Sequence, residues 1–206
     1  MKFYNKISIL SFILYGILLV APAHSKPILG MPAPQFKGTD SKGNKILLSN
    51  YQGKLVVLEW TNHECPYVKR QYATGNMQMV QRKAKILGVI WISIISSAPG
   101  TQGYVSSKEA NNLTVSRKAN PTNVLLDTTG VIGKLYRART TPHMYILDKK
   151  GILVYKGAID NDPTSWGGIN SNTINYVLDA LSELNLGKKI THSATQPYGC
   201  SIKYRS

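Results

Sequence analysis

Cysteine and negative charge are the scarcest features of this chain. It has two cysteines in 206 residues, Cys65 and Cys200. Two cannot make a disulfide-rich scaffold, so they are one structural staple, one redox pair, or a reactive thiol and a bystander. Four scattered histidines and two distant cysteines give no metal-ligand spacing, which excludes a zinc-finger type of site and implies neither metal nor cofactor. Ten acidic residues stand against 25 basic ones, a net charge of +15. The basic residues are dispersed, as in Lys69-Arg70, Arg82-Lys83, Lys134, Arg137, Arg139, Lys149-Lys150 and Lys188-Lys189. They show no interleaved aromatic pattern and no nucleic-acid motif, so they read as a solvated basic surface suited to acidic partners or an anionic membrane surface. There is no internal repeat and no low-complexity block.

Long apolar runs are also missing, with one exception at the start. Lys2 and Lys6 precede the mostly apolar stretch Ile7–Val20, and Ala21-Pro22-Ala23-His24-Ser25 follows with small residues at the positions of a cleavage site. This is the layout of a secretory signal peptide over residues 1–25. The fourteen residues of Ile7–Val20 are shorter than the ~20 that span a bilayer core as a helix. The expected product is therefore a periplasmic or secreted protein of residues 26–206. Cleavage removes two basic residues and no acidic ones, leaving a net charge of +13. Export also implies an oxidising compartment in which disulfides persist.

The exported part reads as one domain with an α/β order. Leu55–Trp60 and Val89–Ile95 are nearly continuous apolar runs, the signature of central strands covered on both faces. Asn123–Asp127 is a shorter third strand. Met144–Asp148 and Ile152–Tyr155 form a hairpin through Lys149-Lys150-Gly151. Two short helices, split at Gly75-Asn76, are expected between the first two strands. A weaker helical pattern covers 106–118. Ile174, Val177, Leu181 and Leu184 form the stripe of a last helix, with Asn172 or Thr173 as N-cap and Gly187 as its stop. Residues 188–206 form a C-terminal tail.

The chemically informative window is Glu59-Trp60-Thr61-Asn62-His63-Glu64-Cys65-Pro66-Tyr67-Val68. A buried strand ends near Trp60 and a helix begins at Pro66, a residue favoured at the first helical position. Cys65 then sits at a helix N-terminus, where free N–H groups and the helix dipole favour the nucleophilic thiolate. The alternative for Cys65 is a small buried hydrophobe. His63, two residues earlier, either lowers the Cys65 pKa and shuttles protons or is a solvated loop histidine. His143 reads as packed or solvated, Glu59 and Glu64 as solvated turn carboxylates, and Trp60, Trp91 and Tyr67 as core.

The stretch from Trp60 to Val68 resembles the active-site turn of thioredoxin-fold proteins, and the exported chain as a whole resembles the peroxiredoxin-like (AhpC/TSA, redoxin) branch. Gly30-Met31-Pro32-Ala33-Pro34-Gln35-Phe36 is similar to that branch's entry motif, and Asp40, Gly43, Leu47-Leu48 and Tyr51-Gln52-Gly53-Lys54 continue it. Thr141-Pro142 falls where the family carries its cis-proline loop, facing the active cysteine. The resemblance implies a mixed sheet of about five strands flanked by helices, and a thiol-dependent oxidoreductase or antioxidant protein. Its catalytic residues would be Cys65 and a resolving Cys200, with Thr141, Pro142, His63 and Pro66 shaping the site. The substrate would be a thiol or disulfide protein or a hydroperoxide, with an external thiol as reductant. The sequence departs from the family twice. Val68 replaces the second cysteine of the thioredoxin turn, and Asn62 stands where peroxiredoxins carry Thr or Ser, while the family's arginine would fall at about Pro142 and is absent there, leaving Arg137 or Arg139 as substitutes that could reach the site. The other readings are a peroxiredoxin-type peroxidase and a non-catalytic binding module stapled by Cys65–Cys200.

Overall fold

A computed structural model of the chain describes residues 27–205. The expected signal peptide lies outside the described residues. In chain order the elements are a hairpin of β1 (Lys37–Thr39) and β2 (Lys45–Leu47), then β3 (Val56–Trp60), α1 (Pro66–Ala73), α2 (Asn76–Ile86) and β4 (Ile90–Ile95). Next come α3 (Ser107–Ser116), β5 (Asn123–Leu126), α4 (Val131–Tyr136), β6 (Thr140–Thr141), β7 (His143–Leu147) and β8 (Leu153–Gly157). The last are α5 (Tyr176–Asn185) and β9 (Cys200–Ser201). The main sheet has the order β5-β4-β3-β7-β8. Strands β3, β4 and β5 are parallel, and β7 and β8 run antiparallel as a hairpin beside β3. Among the described residues no helix is long and apolar enough to cross a membrane.

The apolar runs of β3, β4 and β7 follow from burial on both faces. Val57 on one face of β3 packs with Trp91, Met144 and Ile146, and with Val68, Val80, Val177 and Leu181 from α1, α2 and α5. Leu58 and Trp60, on the other face, pack with Ile92, Ile94, Phe36, Tyr136 and Tyr145. Each such side chain, fully removed from water, contributes about 1.5–3 kcal/mol before the entropy of ordering it is counted. The Trp60 ring lies 5.1 Å from Tyr145 and 5.4 Å from Tyr136, which fixes the end of β3 just before the cysteine loop.

The break between α1 and α2 falls where expected. Gly75 takes a left-handed backbone (φ 77°), which a glycine adopts without steric penalty, and α2 starts at the next residue. Helix α3 forms because Ser106 and Glu109 close a reciprocal capping box. The start of the last helix differs from expectation. Asn175 is its N-cap, accepting the Leu178 N–H at 2.9 Å, rather than Asn172 or Thr173. Ile174 is drawn out of the helix because its N–H and carbonyl both bond to Asn161.

Candidate active site

Cys65 is the N-cap of α1 and Pro66 its first residue, so the sulfur sits at the helix N-terminus directly beyond β3. The loop leading to it is clamped. Asn62 Oδ1 accepts the Glu64 N–H at 2.8 Å, and the Asn62 carbonyl accepts the Cys65 N–H at 3.2 Å. The Glu64 carboxylate accepts the Gly103 N–H at 2.5 Å, and Arg117 donates to the His63 carbonyl at 3.0 Å. Glu64 therefore braces the loop instead of lying free in solvent. Glu59 is also not solvated: it is fully buried, accepting from Ser93 (2.7 Å), Trp91 Nε1 (2.8 Å), the Tyr72 hydroxyl (3.2 Å) and Gln81 (3.3 Å). It lies inside β3 on the helix-covered face, and four donors offset the cost of its burial.

Across from α1, the Thr141–Pro142 peptide bond is cis, as expected, and the Cys65 thiol donates to the Thr141 carbonyl at 3.1 Å. Cys200 comes to the same place from the far end of the chain. β9 pairs antiparallel with β6, setting Cys200 opposite Thr141 and Ser201 opposite Thr140. The β6–β9 pairing thus brings Cys200 into the surroundings of Cys65, and both thiols are free. Burial by itself pushes the Cys65 thiol up, but the donors around the sulfur, the Cys200 thiol, the Val68 N–H of the first helical turn and the Thr141 hydroxyl, outweigh it. Cys65 therefore titrates below the ordinary thiol range. No first-turn N–H closes a full capping bond to the sulfur, so the Val68 contribution is one of proximity. Cys200 moves the other way, pushed up to about 12 by burial and by its hydrogen bond to, and the charge on, Cys65.

Cys65 is fully buried, and the C-terminal tail is part of what covers it. The tail bonds along β8 through Thr195 and crosses the end of the sheet at Tyr198–Ser201. It is then held by the Ile202 N–H on Arg139 O (3.0 Å) and the Tyr204 hydroxyl on Ala138 O (2.8 Å). Gly199 lies so close to β6 that a Cβ there would be 2.0 Å from the Thr141 carbonyl oxygen. Tyr198 ties the tail to α1: its hydroxyl donates to the buried Asp160, which also accepts from Gln71 Nε2 at 2.8 Å, and its ring packs 5.8 Å from Tyr67. Replacing Tyr198 with Phe removes a donor from a buried carboxylate and is expected to lower the unfolding free energy by about 1–3 kcal/mol. Denaturant unfolding of the reduced protein measures it.

Of the residues singled out from sequence, Cys65, Pro66, Thr141, Pro142 and Cys200 converge. His63 does not: its ring is not among the partners of Cys65. Its pKa is lowered first by burial, and Arg117 and Lys69 add to that lowering, while Glu64 and Glu109 pull the other way. His143 is buried on the opposite face, stacked 4.6 Å from Tyr145. Sequence reasoning missed Tyr198, Asp160 and Gln71, because isolated polar residues carry no pattern until the tail meets α1. Among the described residues no group of three or more His, Cys, Asp or Glu is placed to hold a metal ion.

Comparison with known proteins agrees with this architecture. The model of the AhpC/TSA family matches residues 29–156, which leaves the tail and Cys200 outside the matched region. None of the curated proteins compared matches the chain. An uncharacterized conserved protein from Geobacillus kaustophilus superposes with a TM-score of 0.76 at 25% identity, over 87% of this chain and 93% of that one. A hypothetical protein from Sinorhizobium meliloti 1021 gives 0.75 at 20% identity, over 87% and 96%. A secreted disulfide oxidoreductase from Mycobacterium tuberculosis gives 0.52 at 19% identity, over 74% and 96%. The chain belongs to the AhpC/TSA family, and its fold is the thioredoxin fold of thiol–disulfide oxidoreductases.

Proposed function

We propose that this protein is an exported thiol–disulfide oxidoreductase in which Cys65 is the nucleophile and Cys200 the resolving thiol. The observation that carries the reading is the meeting of two free thiols at Thr141, Cys200 set opposite it by the β6–β9 pairing and Cys65 donating to its carbonyl, with Cys65 shifted down and Cys200 shifted up. The Cys65 thiolate attacks one sulfur of a substrate disulfide. That S–S bond breaks, a Cys65–substrate mixed disulfide forms, and the other substrate sulfur leaves as a thiolate that takes a proton from solvent. Cys65 then carries no charge, so the repulsion that kept Cys200 protonated is gone. Cys200 loses its proton, attacks the Cys65 sulfur and releases the second substrate thiol. The protein is left with a Cys65–Cys200 disulfide, and an external dithiol supplies the two electrons that reduce it. Export rests on the signal-peptide layout of residues 1–25.

A hydroperoxide substrate has less support. The Cys65 thiol bonds to the Thr141 carbonyl, and the groups that shift its pKa are Cys200, Val68 and Thr141, none of them an arginine. Arg137 and Arg139 line a cavity with His143 and Tyr145, whose side chains lie on the other face of the sheet. Asn62 directs its Oδ1 to Glu64 rather than to the sulfur.

The ultraviolet absorbance of thiolates, followed against pH, tests the assignment. The reduced protein is expected to titrate in two steps, Cys65 below the ordinary thiol range and Cys200 near 12. Because Cys200 supplies the largest lowering influence on Cys65, Cys200→Ala is expected to move the first step upward. A single step at or above the ordinary thiol pKa would leave Cys65 a structural thiol and favour the binding-module reading.

A further inference from the structure

A cavity of about 380 Å³ opens on the face of the sheet opposite Cys65, between α4, β7, β8 and the tail. Its volume falls within the ~300–1,000 Å³ usual for small-molecule sites. Three cations line it from two segments: Arg137 and Arg139 on the short connection from α4 to β6, and Lys156 on β8. No aspartate or glutamate lines it. The only ion pair among the described residues is Arg70–Asp162, so none of the three has a carboxylate partner there. Three like charges around one concavity repel, and a bound anion removes that cost.

The wall of the cavity adds an uncharged donor. His143 is 6% exposed, and its Nδ1 accepts the Arg139 backbone N–H at 3.3 Å. The proton of the neutral ring is then on Nε2. Burial, with Arg139 and Lys156 nearby, holds the His143 pKa down at about 3, so the ring stays a neutral donor across the physiological range. The Tyr145 hydroxyl is already committed to the Tyr136 carbonyl at 2.9 Å, and Lys156 Nζ spends one of its three donors on the Pro27 carbonyl at 3.1 Å.

We propose that this cavity is a binding site for a compact polyanion, a small molecule carrying carboxylate or phosphate groups, held by Arg137, Arg139, Lys156 and the Nε2–H of His143. The concave shape favours a discrete soluble ligand over the flat contact of a membrane surface. The site is one residue from the group that meets the reactive thiol, since Thr140 lines it and Thr141 accepts from Cys65, but it does not depend on the redox reading.

Calorimetric titration of the full-length exported protein, reduced, with pyrophosphate and separately with citrate tests the proposal. Saturable binding to one site is expected for at least one of the two, with a shift of the His143 ring resonances, and the preferred probe identifies phosphate or carboxylate chemistry. Arg139→Gln and Lys156→Gln should each weaken it about tenfold, the loss of one charge-assisted contact. Lys83→Gln, outside the cavity, should leave it unchanged, and an unaltered Cys65 titration in each variant shows that the fold is intact. No binding of either anion at millimolar concentration overturns the proposal, as does equal weakening by Lys83→Gln. Binding confined to phosphatidylglycerol vesicles overturns it in favour of a lipid-facing surface.

Discussion

Replacing Cys65 with serine is expected to abolish reduction of a disulfide substrate, lowering the rate by at least about a thousandfold, as loss of a nucleophile does. A serine hydroxyl is not ionised in the range where the Cys65 thiol is, and it cannot form a mixed disulfide. Cys200→Ser gives a different result. The first attack still occurs, so one equivalent of substrate thiol is released and the Cys65–substrate mixed disulfide accumulates, visible as a mass increase under non-reducing conditions. Turnover then depends on the external thiol alone. Supplying hydrogen peroxide in place of the disulfide should oxidise Cys65 more slowly, because no arginine and no Thr or Ser at position 62 activates the peroxide. Full turnover by Cys65→Ser would remove Cys65 from the mechanism. A rapid peroxide reaction lost in Cys65→Ser would make this protein a peroxidase.

Gly199→Ala is the second substitution expected to act strongly, although it removes no reactive group. Gly199 has φ +124°, and an added Cβ would be 2.0 Å from a backbone oxygen that cannot move without disturbing the cis-proline loop. Backbone strain of this kind costs on the order of 1–3 kcal/mol before the clash is added. The tail relieves it by lifting from β6, because its anchors at Thr195 and at Ile202–Tyr204 lie on either side. Two consequences of opposite sign follow. Oxidation of Cys65 and Cys200 to their mutual disulfide should slow by at least about tenfold, since one thiol has left its partner. Alkylation of Cys65 should accelerate, since its cover is loosened. Tyr198 and Cys200, on either side of Gly199, pack against the core cluster that holds Cys65, so the thermal unfolding midpoint should fall as well. A variant in which cross-linking and alkylation both match the parent would show that the tail does not gate the thiol.

Much of the fold was legible because it depends on local patterns. Continuous apolar runs marked β3 and β4, since burial on both faces demands them, and Gly75 marked a helix boundary through backbone chemistry that acts over a few residues, whereas the Ser106–Glu109 box that caps α3 went unread. The start of α5 was misplaced because Asn172, Thr173 and Asn175 are all competent caps. A contact from Asn161, distant in sequence, selected Asn175.

By itself the sequence determined the succession of the central strands along the chain, the helix that begins at Pro66, and the cysteine at its N-terminus. These follow from periodicity, proline geometry and the position of one sulfur atom. The tertiary structure decided the rest of the site. It buried Glu59 among four donors, left His63 out of the groups that act on the Cys65 thiol, placed Cys200 opposite Thr141, and latched the tail to α1 through Tyr198, Asp160 and Gln71. Each of these joins residues from segments far apart in the chain, as with Cys65 and Cys200. No local propensity encodes such a meeting. It is set by how the packed sheet routes the tail across its end.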